Sequence, residues 1–166
     1  RIVRVSADRD GDFTRSASLM RVPVTGSPTF KLVEGKDNVR LQADGITAEV
    51  ALRDGHVRFF DGNGTPLVQE VAGGRSFTPF EVEGRKLESV RQRFVSADDE
   101  SFYGTGLHQQ GWMDLKGRDI ELLQHNIDKA IPFVQSTRHY GILWDNNSIT
   151  RYGDPRGLQP LGSTLD

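Results

Sequence analysis

Cysteine is absent from the 166 residues, and that one lack removes disulfides, thiolate metal sites and a cysteine nucleophile together. It leaves the compartment open, because many exported bacterial proteins also do without it. An excess of charge is missing too. The 21 basic and 23 acidic side chains give a formal net charge of -2, with no block of like charge. Such a surface attracts neither a nucleic-acid backbone nor an anionic membrane, so neither is expected as a partner. No apolar run approaches the roughly 20 residues of a membrane helix, and no segment shows a sustained helical period with a cap at each end. The chain opens at Arg1 instead of a methionine. A processed product or an excised piece is the expectation, and a signal peptide would be invisible.

What is present is punctuation: 18 glycines and 7 prolines divide short apolar runs along a chain the length of one ordinary domain. Ile2-Val3-Arg4-Val5 alternates like a strand, and Asp8-Arg9-Asp10-Gly11-Asp12 reads as a solvated turn. An EF-hand calcium loop counted from Asp8 would need glycine where Phe13 stands and glutamate where Leu19 stands, so no metal is predicted there. Phe30 to Glu34 reads as a short strand. From Val39 to Val71 the alternation is clearest. Val39, Leu41 and Ala43 lead into an Asp44-Gly45 turn, and Ile46, Ala48, Val50 and Leu52 share a face opposite Thr47, Glu49, Ala51 and Arg53. Asp54-Gly55 predicts a second two-residue turn, and Asp61-Gly62-Asn63-Gly64 a third reversal. Ala72 to Ser76 is a loop. Its glycine pair lacks the lysine and hydroxyl residue of a phosphate-binding loop, so it reads as a turn, followed by two strands around Phe80 to Glu83 and Leu87 to Val95. The fold class is all-β, an antiparallel β-sandwich.

The stretch from Glu100 to Ser148 concentrates the candidate chemistry. An aromatic strand, Phe102-Tyr103, breaks into Gly104-Thr105-Gly106, and a second strand, Gly141 to Trp144, breaks into Asp145-Asn146-Asn147-Ser148. Between them lie amides and histidines on a long connection, where binding residues tend to gather. Catalysis on a sugar or ester would need two carboxylates, or a nucleophile and a base, across a cleft. Asp114, Asp119, Glu121, Asp128 and Asp145 are the carboxylates available. Asp145 reads as a turn residue. Asp119 and Glu121 alternate with Ile120 and Leu122, facing outward or meeting Lys116 and Arg118. Asp128 interrupts two strands, and either reaches a ligand or is a solvated loop residue. His108, His125 and His139 lack ligand spacing, so no metal and no cofactor is expected.

Taken in order, Asp99-Glu100-Ser101-Phe102-Tyr103-Gly104-Thr105-Gly106, Gln109-Gln110-Gly111, Asp114-Leu115-Lys116-Gly117, Glu121 to Asn126, Ile131-Pro132-Phe133 and Tyr140 to Ser148 resemble the N-terminal β-sandwich of glycoside hydrolase family 31. The bacterial α-xylosidase branch is the most similar, and the likeness spans about residues 39 to 152. Thr105 and His108 depart from the pattern: the family commonly has an aliphatic residue at the first and glutamine or glutamate at the second. The resemblance implies a galactose-mutarotase-like sandwich, residues 1–166, with 153–166 as an exit linker. It also implies a parent enzyme that cleaves α-xylosides or α-glucosides with retention on a (β/α)8 barrel in the same polypeptide. A carbohydrate-binding module inserted after residue 166 is a further expectation. No aspartate here matches either catalytic residue of the family, so no catalytic residue is assigned. By the same analogy a loop of the sandwich reaches the substrate pocket, and Gln124, His125, Asn126 and Asp128 become the candidate contacts to an oligosaccharide. Their alternative role is a polar seam against the barrel. Analogy also favours a periplasmic or secreted location. Two other readings stand beside this one: a free-standing carbohydrate-binding module using Trp112 or Trp144, and an aldose epimerase with a histidine-carboxylate pair in a sheet groove.

Overall fold

A computed structural model describes residues 2–13, 18–20, 22, 26 and 28–153. Among the described residues there is no helix, and every strand pairing is antiparallel. The chain divides into two compact units, residues 1–96 and 97–166. The expected linker at 153–166 falls almost wholly on residues outside those described.

The first unit is the meander that the alternation predicts. Strands β1 (Phe30–Glu34), β2 (Asn38–Ala43), β3 (Ile46–Ala51), β4 (Val57–Asp61) and β5 (Pro66–Gln69) lie side by side in chain order. Cross-strand register places Leu41, Ala48 and Phe59 in one apolar row, and buried Ala48 and Val57 form its core. The next row is Arg40, Glu49 and Arg58. Sequence alternation assigns Glu49 to a polar outer face, yet its side chain is only 1% exposed. Arg40 Nε donates to it at 2.6 Å and Arg58 donates from the opposite strand, so the charge is buried with two partners already in register. Burial alone would push this carboxyl up, but the two guanidinium hydrogen bonds outweigh it and hold it below its ordinary value.

Three local expectations change. Ile2 to Val5 forms no strand: Ile2 is fully in solvent and no described strand pairs with it, and alternation without a partner edge does not make a ladder. The Asp54-Gly55 turn is longer than two residues. Ala51 N–H reaches His56 O at 3.0 Å and Gly55 N–H reaches Ala51 O at 2.9 Å, so Leu52 leaves the strand and is exposed. The strand predicted from Leu87 to Val95 ends earlier. Strands β6 (Ser76–Val82) and β7 (Arg85–Arg91) form a two-stranded ribbon, closed by a turn in which Glu83 has a φ of 49°. Beyond the ribbon the chain returns to β5, where Val95 N–H bonds Gln69 O at 2.8 Å. Gly73-Gly74 is a turn, with Gly74 N–H on Val71 O at 2.8 Å.

The second unit holds a three-stranded sheet in the order β11 (Gly141–Leu143), β10 (Lys129–Ser136), β8 (Phe102–Leu107), and a small pair, β9 (Ile120–Leu122) with β12 (Thr150–Tyr152). Leu115, Ile120 and Val134 are its buried apolar side chains.

Glu49→Gln is expected to lower stability by about 2–3 kcal/mol near neutral pH, because two arginines lose a charged acceptor. The folded carboxyl titrates below the unfolded one, whose reference value is 4.5. Its contribution is therefore present above that pH and lost as pH falls through the folded value. Urea denaturation of parent and variant at neutral and acid pH should show the gap closing as pH drops.

Candidate functional site

The break that glycine signals in β8 is severe. Gly104, Thr105 and Gly106 have φ of 126°, 62° and 105° in succession. No regular ladder survives that, and β10 answers with extra chain. Ala130 pairs with Gly106 and Val134 with Gly104, so Ile131, Pro132 and Phe133 together oppose Thr105. Side chains are excluded on β8 by contact as well as by φ. A Cβ at Gly106 would lie 1.8 Å from Lys129 O, and one at Gly104 would lie 2.5 Å from Phe133 O. Pro132 is tolerated in mid-strand because the bulge needs no N–H from it, while its carbonyl accepts Trp144 N–H at 2.8 Å. Thr105 is 2% exposed, and its hydroxyl donates to Gly104 O at 2.7 Å. His108 Nε2 donates to Thr105 O at 2.8 Å. A β-branched residue in the left-handed region costs on the order of 1–3 kcal/mol, which the surrounding contacts must offset.

The four candidate contact residues occupy one turn immediately before β10. Asp128 N–H bonds His125 O at 2.9 Å, and Asn126 takes a φ of 48°, which asparagine tolerates better than most residues. Gln124, His125 and Asn126 are exposed. His125 Nδ1 donates back to Leu123 O at 3.2 Å, leaving Nε2 outward-capable. Asp128 differs: it is half-buried, and its Oδ1 is sealed from solvent with no hydrogen-bond partner among the described residues. An unsatisfied carboxylate oxygen is costly, and it is the strongest polar demand in this turn.

Asp114 and Asp119 are occupied. Asp114 Oδ1 accepts Lys116 N–H at 3.0 Å and Phe102 N–H at 3.1 Å, and those backbone donors hold its carboxyl below the usual range. Arg151 grips Asp119 with two bonds of 2.6 and 2.7 Å. Lys116 Nζ reaches Asp98 O at 2.8 Å, and Arg118 stacks over Trp112 at 5.0 Å. In the Asp145 turn it is Asn146 Oδ1 that accepts Ser148 N–H, at 2.7 Å. His108, His125 and His139 stay apart: the first holds the β8 kink, the second the turn, and the third lies in the β10–β11 reversal. Among the described residues no group of three or more histidines and carboxylates could hold a metal ion.

One cluster escaped the sequence reading. Glu100, 3% exposed, accepts the Ser136 hydroxyl, the Tyr140 hydroxyl at 2.6 Å and Ala97 N–H at 3.3 Å. Burial, then the neighbouring carboxylate, pushes the Tyr140 phenol well above its ordinary value. Burial likewise raises Tyr152 to about 12, with Asp114 and Glu100 adding to it. Ser136 and Tyr140 flank one reversal, but nothing local in the sequence ties Glu100 to them. The network anchors the start of β8 to the end of β10.

Strict alternation gives β10 two faces. Ala130, Pro132, Val134 and Ser136 turn inward, while Lys129, Ile131, Phe133 and Gln135 are exposed. Tyr103, Leu107 and Leu143 pair onto the outer side, and with Ile131 and Phe133 they make an apolar face 38 to 64% exposed. Phe102 pairs with Ser136 and takes the inner side, so it is not part of that face.

Comparison with known proteins settles the lineage. The family model described as the glycosyl hydrolase 31 N-terminal galactose mutarotase-like domain matches residues 1–152. The chain belongs to this family. A glycoside hydrolase family 31 α-xylosidase from Xanthomonas citri is 61% identical over 93% of this chain and 17% of its own, with a TM-score of 0.85. A family 31 α-xylosidase from a soil metagenome, solved with xylose, is 31% identical over 78% of this chain and 22% of its own, with a TM-score of 0.69. An uncharacterized family 31 glucosidase from Pseudescherichia vulneris is 29% identical over 89% of this chain. The chain spans 31% of that curated relative's length. As a member of glycoside hydrolase family 31, it has the antiparallel β-sandwich fold of the family's N-terminal domain.

Tyr140→Phe in this family 31 domain removes one of the three donors to a buried carboxylate, and should cost about 1.5–3 kcal/mol. Thermal unfolding against a conservative exposed control such as Tyr103→Phe tests it.

Proposed function

We propose that this chain serves as the N-terminal accessory domain of a retaining α-glycosidase, an α-xylosidase ahead of an α-glucosidase. The observation that carries the reading is the identity with the Xanthomonas citri α-xylosidase over nearly the whole chain. In this reading residues 1–166 act as one domain, 153–166 lead out of it, and chemistry belongs to two carboxylates on a barrel of the same polypeptide. The domain itself is not catalytic. The outer face of the β11-β10-β8 sheet gathers five exposed apolar side chains, and it supports packing against that barrel. The turn at Gln124, His125, Asn126 and Asp128 contributes the rim of the pocket, where exposed amides and a half-buried carboxylate suit the hydroxyls of an oligosaccharide.

Trp112 gives the carbohydrate-binding-module reading its one specific support, since its exposed ring carries Arg118 on one side. For the epimerase reading, the His56-Asp54 contact of 2.5 Å sits in the loop between β3 and β4, not in a sheet groove.

Two assays test the proposal. The 166-residue chain should not hydrolyse an aryl α-xyloside or aryl α-glucoside, whereas the full gene product should hydrolyse at least one of them. Turnover by the chain alone overturns the accessory role. In the full gene product, Asp128→Asn should raise KM for the preferred aryl glycoside about tenfold, the equivalent of one charged hydrogen bond. An unchanged KM would remove the turn from the pocket.

A further inference from the structure

We infer that Gly106 is a positioning residue for the 125–128 turn, fixing where the turn's polar groups stand by admitting the Lys129 backbone into the space a side chain would fill. This rests on the reading of that turn as a sugar-contacting element. The geometry is local and one-sided. Gly106 pairs with Ala130, and Leu107 with Lys129, the residue directly after Asp128. A Cβ on Gly106 would meet Lys129 O at 1.8 Å, Lys129 C at 2.9 Å and Ile131 N at 3.0 Å, all of them backbone atoms with no freedom to swing aside. Any side chain at 106 must therefore displace the end of the turn by an ångström or more. Gly104 has the same kind of strain in the other direction: its nearest neighbours are Phe133 O at 2.5 Å and Val134 Cα at 3.3 Å, beyond the bulge and away from the turn. The intervening Thr105 is buried and bonded on both sides, by its own hydroxyl to Gly104 O and by His108 to its carbonyl. The kink is thereby fixed from within β8, and it is at Gly106 alone that it meets Lys129 and sets where the end of the turn lies.

The paired glycines supply the test. In the full gene product, Gly106→Ala and Gly104→Ala both break a positive-φ position against a backbone oxygen, so a purely structural role predicts similar losses of thermal stability and similar kinetics. Positioning predicts a split. Gly106→Ala should lower kcat/KM for an aryl α-xyloside by about 10- to 100-fold, chiefly through KM, as misplacement by about 1 Å does. Gly104→Ala should change KM less than threefold at comparable Tm. Should Gly106→Ala fail to fold, a single glycine inserted between Asp128 and Lys129 moves the turn while leaving the kink intact, and it should raise KM to the same degree. Equal effects of the two alanine variants, or an insertion without effect on KM, would overturn the inference. Asn126→Ala and Asp128→Asn separate the two levels. If both are silent, the turn makes no sugar contact and this inference falls with that reading. If they raise KM while Gly106→Ala and the insertion do not, only the positioning role is lost.

Discussion

The β8–β10 sheet of the second unit depends on a backbone-to-backbone approach: β8 at Gly106 lies so near the Lys129 carbonyl that no Cβ fits between them. From it follow the three-residue bulge of β10, the seating of Pro132 in mid-strand, and the point at which the polar turn meets the sheet. Hydrogen bonds do not create this geometry, though they hold it. Thr105 and His108 secure one side of the kink, and the Glu100 cluster ties the beginning of β8 to the end of β10. Strain stored in the backbone is offset by a buried carboxylate with its donors in place.

The first unit solves a different problem by similar means. A carboxylate buried in a β-sheet is destabilising unless paired, and register alone provides the pairing, because Arg40 and Arg58 stand opposite Glu49 on its two neighbouring strands. Glu70 repeats the device nearby, accepting Val57 N–H at 2.8 Å and Arg75 at 2.7 Å. In both units the buried charge lies where strands must keep one alignment.

The meander was legible because period-two alternation and Asp-Gly turns are local signals, and β1 to β4 emerge where those signals fall. Order within the central stretch was legible too: Gly104-Thr105-Gly106 announces a broken strand, and the segment around Asp128 announces an interruption between two strands. Legibility stopped where a residue's fate depends on a distant partner. Glu49 reads as outward until two arginines are placed beside it. Glu100 reads as an ordinary strand-start residue until Ser136 and Tyr140 arrive from a reversal 36 and 40 residues on. Ile2 to Val5 fails the opposite way, with a local strand pattern and no described strand to pair with. Leu52 fails through chain length, since a five-residue reversal lifts it off the face that its spacing assigned.

The bulge opposite the kinked strand also acts as a registration key. Ordinary antiparallel strands can slip by two residues and keep the same faces together, which is a common route to misfolded or swapped sheets. Here a slip that carried His108 into the place of Gly106 would put a side chain where Lys129 O tolerates none, while the opposite slip, which brings Gly104 there, would move Gly106 away from the contact that demands a glycine. One of the two neighbouring alignments is thus sterically closed to β8 and β10. A segment rich in loops, with little apolar core of its own, thus narrows its strand alignments by excluded volume as well as by burial.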